Sequence, residues 1–100
     1  MADQRMTLGE VLAALADPHR RRVVRDLACD PTDGERSCHS FALPVSKSTS
    51  THHFKVLADA GLINNVHHGN RNAVSLRRVD IDKRFPGLLD LVVAENESRA

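Results

Sequence analysis

The 100-residue sequence contains few aromatic residues, few cysteines and no long apolar run. Three phenylalanines, with neither tyrosine nor tryptophan, disfavour recognition of single-stranded nucleic acid by aromatic stacking. Two cysteines are too few for a disulfide framework, and the polar start of the chain lacks the apolar core of a signal peptide. We therefore expect a cytoplasmic protein. Because no apolar stretch is long enough to cross a bilayer, we expect no membrane association.

The composition is otherwise that of an ordinary globular protein, but the charge is unevenly distributed. Hydrophobic residues make up 41% and charged residues 27%, so we expect one domain over residues 1–100. The net charge is only +1, yet residues 46–78 carry five lysines and arginines against one aspartate, between two acidic ends. This pattern is typical of a nucleic-acid contact surface, although a solvated surface with chance clustering explains the charge equally well.

Capping residues and the spacing of apolar side chains predict two helices at the start of the chain. The first begins after Thr7, which precedes Glu10 by three residues, as in a capping box. The second begins at Pro18, with Asp17 as its N-cap. We expect the arginines at positions 20–22 to form a solvent-exposed side of this second helix, with contact to DNA phosphates as the alternative.

A further helix is predicted over residues 46–60, with Ser46 as its N-cap and Gly61 as its stop. The preceding residues 35–43 predict only a short helix or turn. One side of the helix over 46–60 repeats short hydrogen-bonding side chains and a long cation at spacings of three and four residues: Ser48, Thr51, His52 and Lys55. Such a polar stripe is unusual for a purely structural helix and therefore indicates a binding function.

After Gly61 the apolar residues alternate in the manner of strands. Residues 62–68 and 71–77 predict two strands joined by a tight turn at Gly69-Asn70. A connector is expected over residues 80–85 and a last helix over residues 86–95. This helix has five large aliphatic residues in six positions, and a helix with a single buried stripe needs fewer. We therefore expect a second copy of the chain to cover its remaining apolar side.

This order of elements is that of a winged helix-turn-helix with an additional C-terminal dimerisation helix, a mainly α fold with a small β-hairpin. Two segments are similar to the ArsR-type family of bacterial regulators: Leu15-Ala16-Asp17-Pro18-His19-Arg20, and Ser46-Lys47-Ser48-Thr49-Ser50-Thr51-His52-His53-Phe54-Lys55-Val56-Leu57 with Ala60-Gly61-Leu62-Ile63. The resemblance covers residues 8–93 and implies a homodimer that binds an imperfect palindromic operator, usually as a repressor. Ser50 departs from the family pattern, which has an apolar residue at that position.

The resemblance also implies which residues bind. We expect the helix over 46–60 to enter the major groove of double-stranded DNA and the hairpin tip to reach the flanking backbone or minor groove. The predicted DNA contacts are Ser46, Lys47, Ser48, Thr49, Thr51, His52, His53, Lys55, His68, Asn70 and Arg71. For the two adjacent histidines the resemblance implies either DNA contact or helix packing. The predicted contacts between the two copies are Leu8, Leu12, Leu88, Leu91 and Val92.

A metal site is a further implication of the resemblance. Many ArsR-type proteins have metal-binding thiolates in the segment that corresponds to residues 35–41, where Cys38 and His39 offer a thiolate and an imidazole for Zn, Ni or Co. The pair is an incomplete ligand set. The alternative is that Cys38 is a small buried residue without a role in sensing. The sequence therefore leaves four alternatives for the effector: a metal ion, a redox signal, a small molecule or no effector.

Enzymes and protein-binding modules are the competing classes of function. The sequence has no glycine-rich phosphate loop, nucleophile elbow or zinc-protease helix, so we expect no enzymatic activity. The alternative to a DNA-binding regulator is a winged helix whose basic side binds a partner protein without specific DNA binding. Salt-dependent binding with a preference for a palindromic duplex would separate the two.

Overall fold

The computed structural model describes residues 6–98 of the chain, with side chains up to residue 95. Residues 1–5 and 99–100 of the expected domain lie outside the described residues. The described part is a mainly α fold with a small antiparallel sheet, which confirms the predicted fold class. In chain order its elements are α1 (Leu8–Leu15), α2 (Pro18–Ala28), β1 (Arg36–Ser37), a 3-10 helix (Cys38–Phe41), α3 (Lys47–Asp59), β2 (Ile63–His68), β3 (Arg71–Leu76), α4 (Arg78–Arg84) and α5 (Leu88–Ser98).

The predicted helix caps are confirmed. Thr7 Oγ1 accepts a hydrogen bond from the Glu10 backbone N–H at the start of α1. The Asp17 carboxylate accepts two backbone N–H bonds at the start of α2, and Ser46 Oγ accepts one at the start of α3. Gly61 follows α3 with a φ of 89°, a left-handed conformation that favours glycine.

The predicted hairpin is confirmed, and the structure adds a third strand. Strands β2 and β3 pair antiparallel from Ile63–Leu76 to His68–Arg71, and the turn at Gly69-Asn70 joins them. The hairpin and this turn are called the wing below. Strand β1 pairs with the other edge of β3, so the sheet order is β1-β3-β2. The prediction of a helix or turn over residues 35–43 missed this strand, since two residues show no alternation.

The connector predicted over residues 80–85 is wrong, because this segment lies largely within α4. The Arg77 guanidinium donates to the Asp80 carboxylate at 2.8 and 3.0 Å across the first turn, and two basic residues occupy the last turn, where the helix dipole favours them. Ile81 is the one fully buried side chain of α4. A single buried residue gives no periodic apolar stripe, which explains the missed helix.

The core surrounds α2, which packs against α1, α3, β3 and α5. Its Val23, Val24 and Leu27 are buried, and Leu89 and Val92 reach the same core from α5. Val92 was predicted to contact a second copy, but it is 7% exposed because it packs into the core of its own chain. In the described part of the chain, no helix has both the length and the apolar character needed to cross a membrane.

The expected solvent-exposed arginine side of α2 is also wrong. Arg20 donates to the carbonyl of Ala14 at 2.6 Å, and Arg21 donates to that of Leu15 at 2.8 Å. These carbonyls belong to the last turn of α1, where no helical N–H is available to them. Arg22 donates to the carbonyl of Phe41 at the end of the 3-10 helix. The three arginines are half-buried and hold neighbouring elements onto α2.

Replacement of Ile81 tests whether α4 is part of the folded core. Because Ile81 is fully buried, we expect Ile81→Ala to lower the free energy of unfolding by about 2–5 kcal/mol. Val79→Ala is the matched control: Val79 is on the same helix but 77% exposed, so its removal should change stability by about 0.5 kcal/mol or less. Urea unfolding of both variants measures the difference. Equal stabilities would show that α4 is not packed.

Candidate nucleic-acid interface

Helix α3 has one buried side and one polar, solvent-exposed side. His53, Phe54 and Leu57 face the core, and Phe54 packs on Phe41 of the 3-10 helix with ring centroids 5.6 Å apart. The exposed side consists of residues predicted to contact DNA: Lys47, Ser48, Thr49, Thr51, His52 and Lys55. The apolar packing therefore holds the helix so that hydroxyls, an imidazole and two ammonium groups are presented together to solvent.

A groove of about 550 Å³ separates this exposed side of α3 from the wing. The 3-10 helix and the residues after it, α3 and both strands of the wing contribute to its lining. Lys47, Lys55 and Arg71 are its cations, and no carboxylate is among the described residues that line it. A positively charged groove beside a polar helix is suited to the backbone of a nucleic acid.

The tip of the wing is tied to the loop before β1. His68 Nε2 lies 2.6 Å from the Glu35 carboxylate, and His67 Nδ1 lies 2.5 Å from the Asn72 side-chain oxygen. Asn70 and Arg71, at the turn, are exposed. The contact between Glu35 and the wing could not be predicted from the sequence, because it joins residues 33 positions apart and depends on the unpredicted strand β1.

His53 differs from the other predicted DNA contacts. Its side chain is only 6% exposed, because it points from α3 towards the start of α2. Its ring lies beside those of His19 and His52, and its Nδ1 is 3.2 Å from the Arg20 guanidinium. His53 is therefore not placed to contact DNA. The structure agrees with the other role that the family resemblance implied, helix packing.

The structure does not assemble a metal site around Cys38 and His39. Within residues 6–98 there is no group of three or more histidine, cysteine, aspartate or glutamate side chains that could hold a metal ion. Cys38 is half-buried against the core, and burial raises the pKa of its thiol, which disfavours the thiolate that a metal requires. Cys29 is exposed, and both cysteines are free thiols.

The family of the domain is indicated by comparison with known proteins. Residues 15–66 match the family model described as a helix-turn-helix domain. An ArsR-like transcriptional regulator from Rhodococcus sp. RHA1 is 28% identical, over 92% of this chain and 84% of that one, with a TM-score of 0.62. A possible transcriptional regulator for arsenical resistance is also 28% identical, over 89% and 97% of the two chains, with a TM-score of 0.61. No protein of curated function matches the chain.

A third solved structure supports the fold. It is the homodimeric winged helix-turn-helix DNA-binding domain of a possible ArsR-family regulator from Mycobacterium bovis, 24% identical over 88% of this chain and 79% of that one, with a TM-score of 0.65. The two relatives at 28% identity are described as a transcriptional regulator and a possible transcriptional regulator, in line with the expectation of a protein without enzymatic activity.

The two thiols should differ in reactivity. Because Cys38 is half-buried with a raised pKa, we expect the Cys29→Ser variant, which retains Cys38, to react several-fold more slowly with a disulfide reagent at mildly alkaline pH than the Cys38→Ser variant. The absorbance of the released thiolate measures both rates. Faster labelling of Cys38 would indicate an accessible thiolate and would restore it as a candidate metal or redox site.

Proposed function

Because the chain belongs to the helix-turn-helix domain family and is of the ArsR type, we propose that it is a homodimeric repressor that binds a palindromic operator through α3 and the wing. The observation that carries the proposal is the groove between α3 and the wing. It brings Lys47, Thr51 and Lys55 of α3 together with Arg71 of the wing, and no carboxylate is among its described lining residues. Such a groove is suited to the phosphates of a nucleic acid backbone.

Within the proposed complex, the residues of α3 divide into two roles. Lys47 and Lys55 stand at either end of the exposed side and reach furthest, so they neutralise phosphates. Thr51 and His52 lie between them, where short hydrogen-bonding side chains reach base edges in the major groove. Lys55 forms an ion pair with Asp59 at 2.9 Å, but both side chains are about two-thirds exposed, so a phosphate displaces the carboxylate at little cost.

The wing extends the contact beyond the major groove. Asn70 and Arg71 stand exposed at its turn, and Arg71 also lines the groove beside α3. His68 is positioned by Glu35 at the same tip. In the proposed complex these residues contact the flanking backbone or the minor groove, which encode little sequence, and therefore contribute affinity more than specificity.

The proposed dimer uses α1 and α5. Leu8 and Leu12 are each 52% exposed on one side of α1, and Leu91 is 69% exposed on α5. Hydrogen bonds connect the surroundings of the two helices: Arg84, the last residue of α4, donates to the carbonyl of Met6, just before α1. At the other end, Arg21 donates both to the last turn of α1 and to the Glu95 carboxylate of α5.

Large exposed aliphatic side chains of this kind favour burial against a second copy. Half-buried Leu88 borders the same part of α5, whereas Val92 belongs to the core of its own chain. The homodimeric state of the Mycobacterium bovis domain supports the proposal. A dimer of this kind presents two copies of α3 to successive half-sites about one helical turn apart. Control by a metal ion through Cys38 and His39 is not part of the proposal, because the described residues supply no further ligand.

The division of roles on α3 is testable by salt-dependent DNA binding. The operator probe is the stretch of DNA upstream of the protein's own gene that the protein protects in a footprinting experiment. We expect Lys55→Ala to weaken binding to operator and scrambled duplex alike and to reduce the salt slope by about one, because a phosphate contact carries no sequence information. Thr51→Ala and His52→Ala should cost about 1–3 kcal/mol on the operator and less on the scrambled duplex.

Lys83→Ala is the matched control for lysine removal, because Lys83 is exposed on α4 outside the proposed interface. It should leave affinity and slope unchanged. If both Thr51→Ala and His52→Ala bind the operator with wild-type affinity, α3 does not read the sequence. Absence of any preference for the operator in the wild type favours the protein-binding module.

The proposed dimer predicts the effect of a charge at Leu91. Because Leu91 is already exposed in the single chain, Leu91→Glu should leave the fold intact and shift the protein to monomers by placing a carboxylate against apolar partners. Val79→Glu, at an aliphatic residue of similar exposure on α4, should leave the dimer intact. Sedimentation at micromolar concentration measures both. A wild-type protein that sediments as a monomer there contradicts the dimer.

A further inference from the structure

His53 is the buried polar side chain of the described core, and its hydrogen bond defines its protonation state. Its Nδ1 lies 3.2 Å from Nη1 of Arg20. A guanidinium group only donates hydrogen bonds, so Nδ1 accepts and carries no proton. The ring is consequently neutral, with its hydrogen on Nε2. A second proton on Nδ1 would remove this acceptor and place two cations in contact.

Arg20 has little freedom to move away from such a cation. Its guanidinium also donates to the carbonyls of Ala14 and Ala13 at the end of α1, at 2.6 and 3.3 Å. Its backbone N–H donates to the Asp17 carboxylate that caps α2. The end of α1 and the start of α2 therefore hold Arg20 from two sides, and the ring of His53 connects α3 to this junction.

The charged and titratable groups around the ring mostly oppose a second proton. Arg20 and His19 face it from α2, His52 lies beside it on α3, and Asp17 lies 3.9 Å from its Nε2 at the α1–α2 junction. α1 contributes backbone carbonyls that Arg20 already binds. Burial lowers the pKa of His53 below its ordinary value of 6.5. The Asp17 carboxylate acts in the opposite direction, and Arg20, His19 and His52 each lower the pKa further.

We propose that neutral His53 is a positioning residue for DNA binding: it fixes α3 against Arg20, and uptake of a proton from solvent at Nδ1 breaks that contact and releases α3 from its binding position. The inference rests on the proposed function, in that α3 is the helix that reads DNA. Because the α1–α2 junction holds Arg20, α3 moves when the two cations repel. The result is loss of operator binding in acid.

The direction of the pH dependence follows from linkage. The folded-state pKa of His53 is lower than the unfolded one, so its neutral contact stabilises the fold fully above about pH 6.5. That contribution declines as the pH falls from there through the folded-state pKa. Acidification in general makes a protein more positive, and positive charge strengthens DNA binding. A fall in affinity on acidification is therefore opposite to the general electrostatic trend.

The test measures affinity for the footprinted operator duplex between about pH 8 and about pH 5 at constant salt. Below the pKa of His53, the fraction of subunits with a neutral ring, which are the ones able to bind DNA, falls about tenfold per pH unit. The wild-type affinity should therefore fall about tenfold per pH unit for each subunit of the dimer. His53→Asn keeps an oxygen acceptor near the place of Nδ1 but does not titrate, so it should bind across the range without this fall. Lys83→Ala, at an exposed residue of α4 outside the proposed interface, should retain the wild-type fall.

A second measurement does not depend on the variant's folding. The ¹⁵N shifts of the wild-type His53 ring, recorded without DNA, should show Nδ1 unprotonated at neutral pH and a protonation midpoint that coincides with the loss of binding. Wild-type affinity that stays constant or rises in acid overturns the inference and leaves the proposed function intact. A midpoint that does not coincide with the loss of binding, or an equal fall in folded His53→Asn, also overturns it. No operator binding at any pH overturns both.

Discussion

Arginine side chains that bind the carbonyl ends of helices hold this small fold together. Arg20 and Arg21 bind the last turn of α1, Arg22 binds the end of the 3-10 helix, and Arg78 binds the carbonyl of Ala28 at the end of α2 at 2.7 Å. A domain of this size has a thin apolar core. Without the arginine, each half-buried carbonyl would have to accept a hydrogen bond from water or remain an unsatisfied acceptor. These arginines therefore supply hydrogen bonds between elements, in addition to the apolar packing.

The position of α3 follows from this framework. Phe54 packs on Phe41, whose carbonyl Arg22 binds, and His53 contacts Arg20, which binds the end of α1. Both contacts connect α3 to α2 and to the elements that the arginines of α2 hold. Arg20 therefore connects α3 to α1, the helix that also carries the exposed leucines of the proposed dimer surface.

Local signals in the sequence predicted the elements that depend on local interactions. Thr7 and Ser46 cap helices through neighbours three residues away, so their roles can be read without the fold. The strand at residues 36–37 and helix α4 around Ile81 depend on partners distant in sequence, and both were missed. On the candidate site, the spacing along α3 identified its exposed polar side. For His53 the sequence left two roles possible, DNA contact and helix packing. His52 and His53 are adjacent on α3 and point about 100° apart, so only the packing against α2 determines which of the two is buried.

The charges of the proposed DNA surface also limit non-specific binding. Lys55 is paired with Asp59 and His68 with Glu35, so two of its positively charged or protonatable groups already have carboxylate partners. A phosphate that binds there replaces a carboxylate, and the gain is smaller than for a free cation. With a net charge of only +1, the chain as a whole attracts DNA weakly. In the proposed complex, affinity for a particular duplex comes from base contacts of Thr51 and His52 and from the simultaneous binding of two subunits. The first depends on the DNA sequence and the second on the half-site spacing.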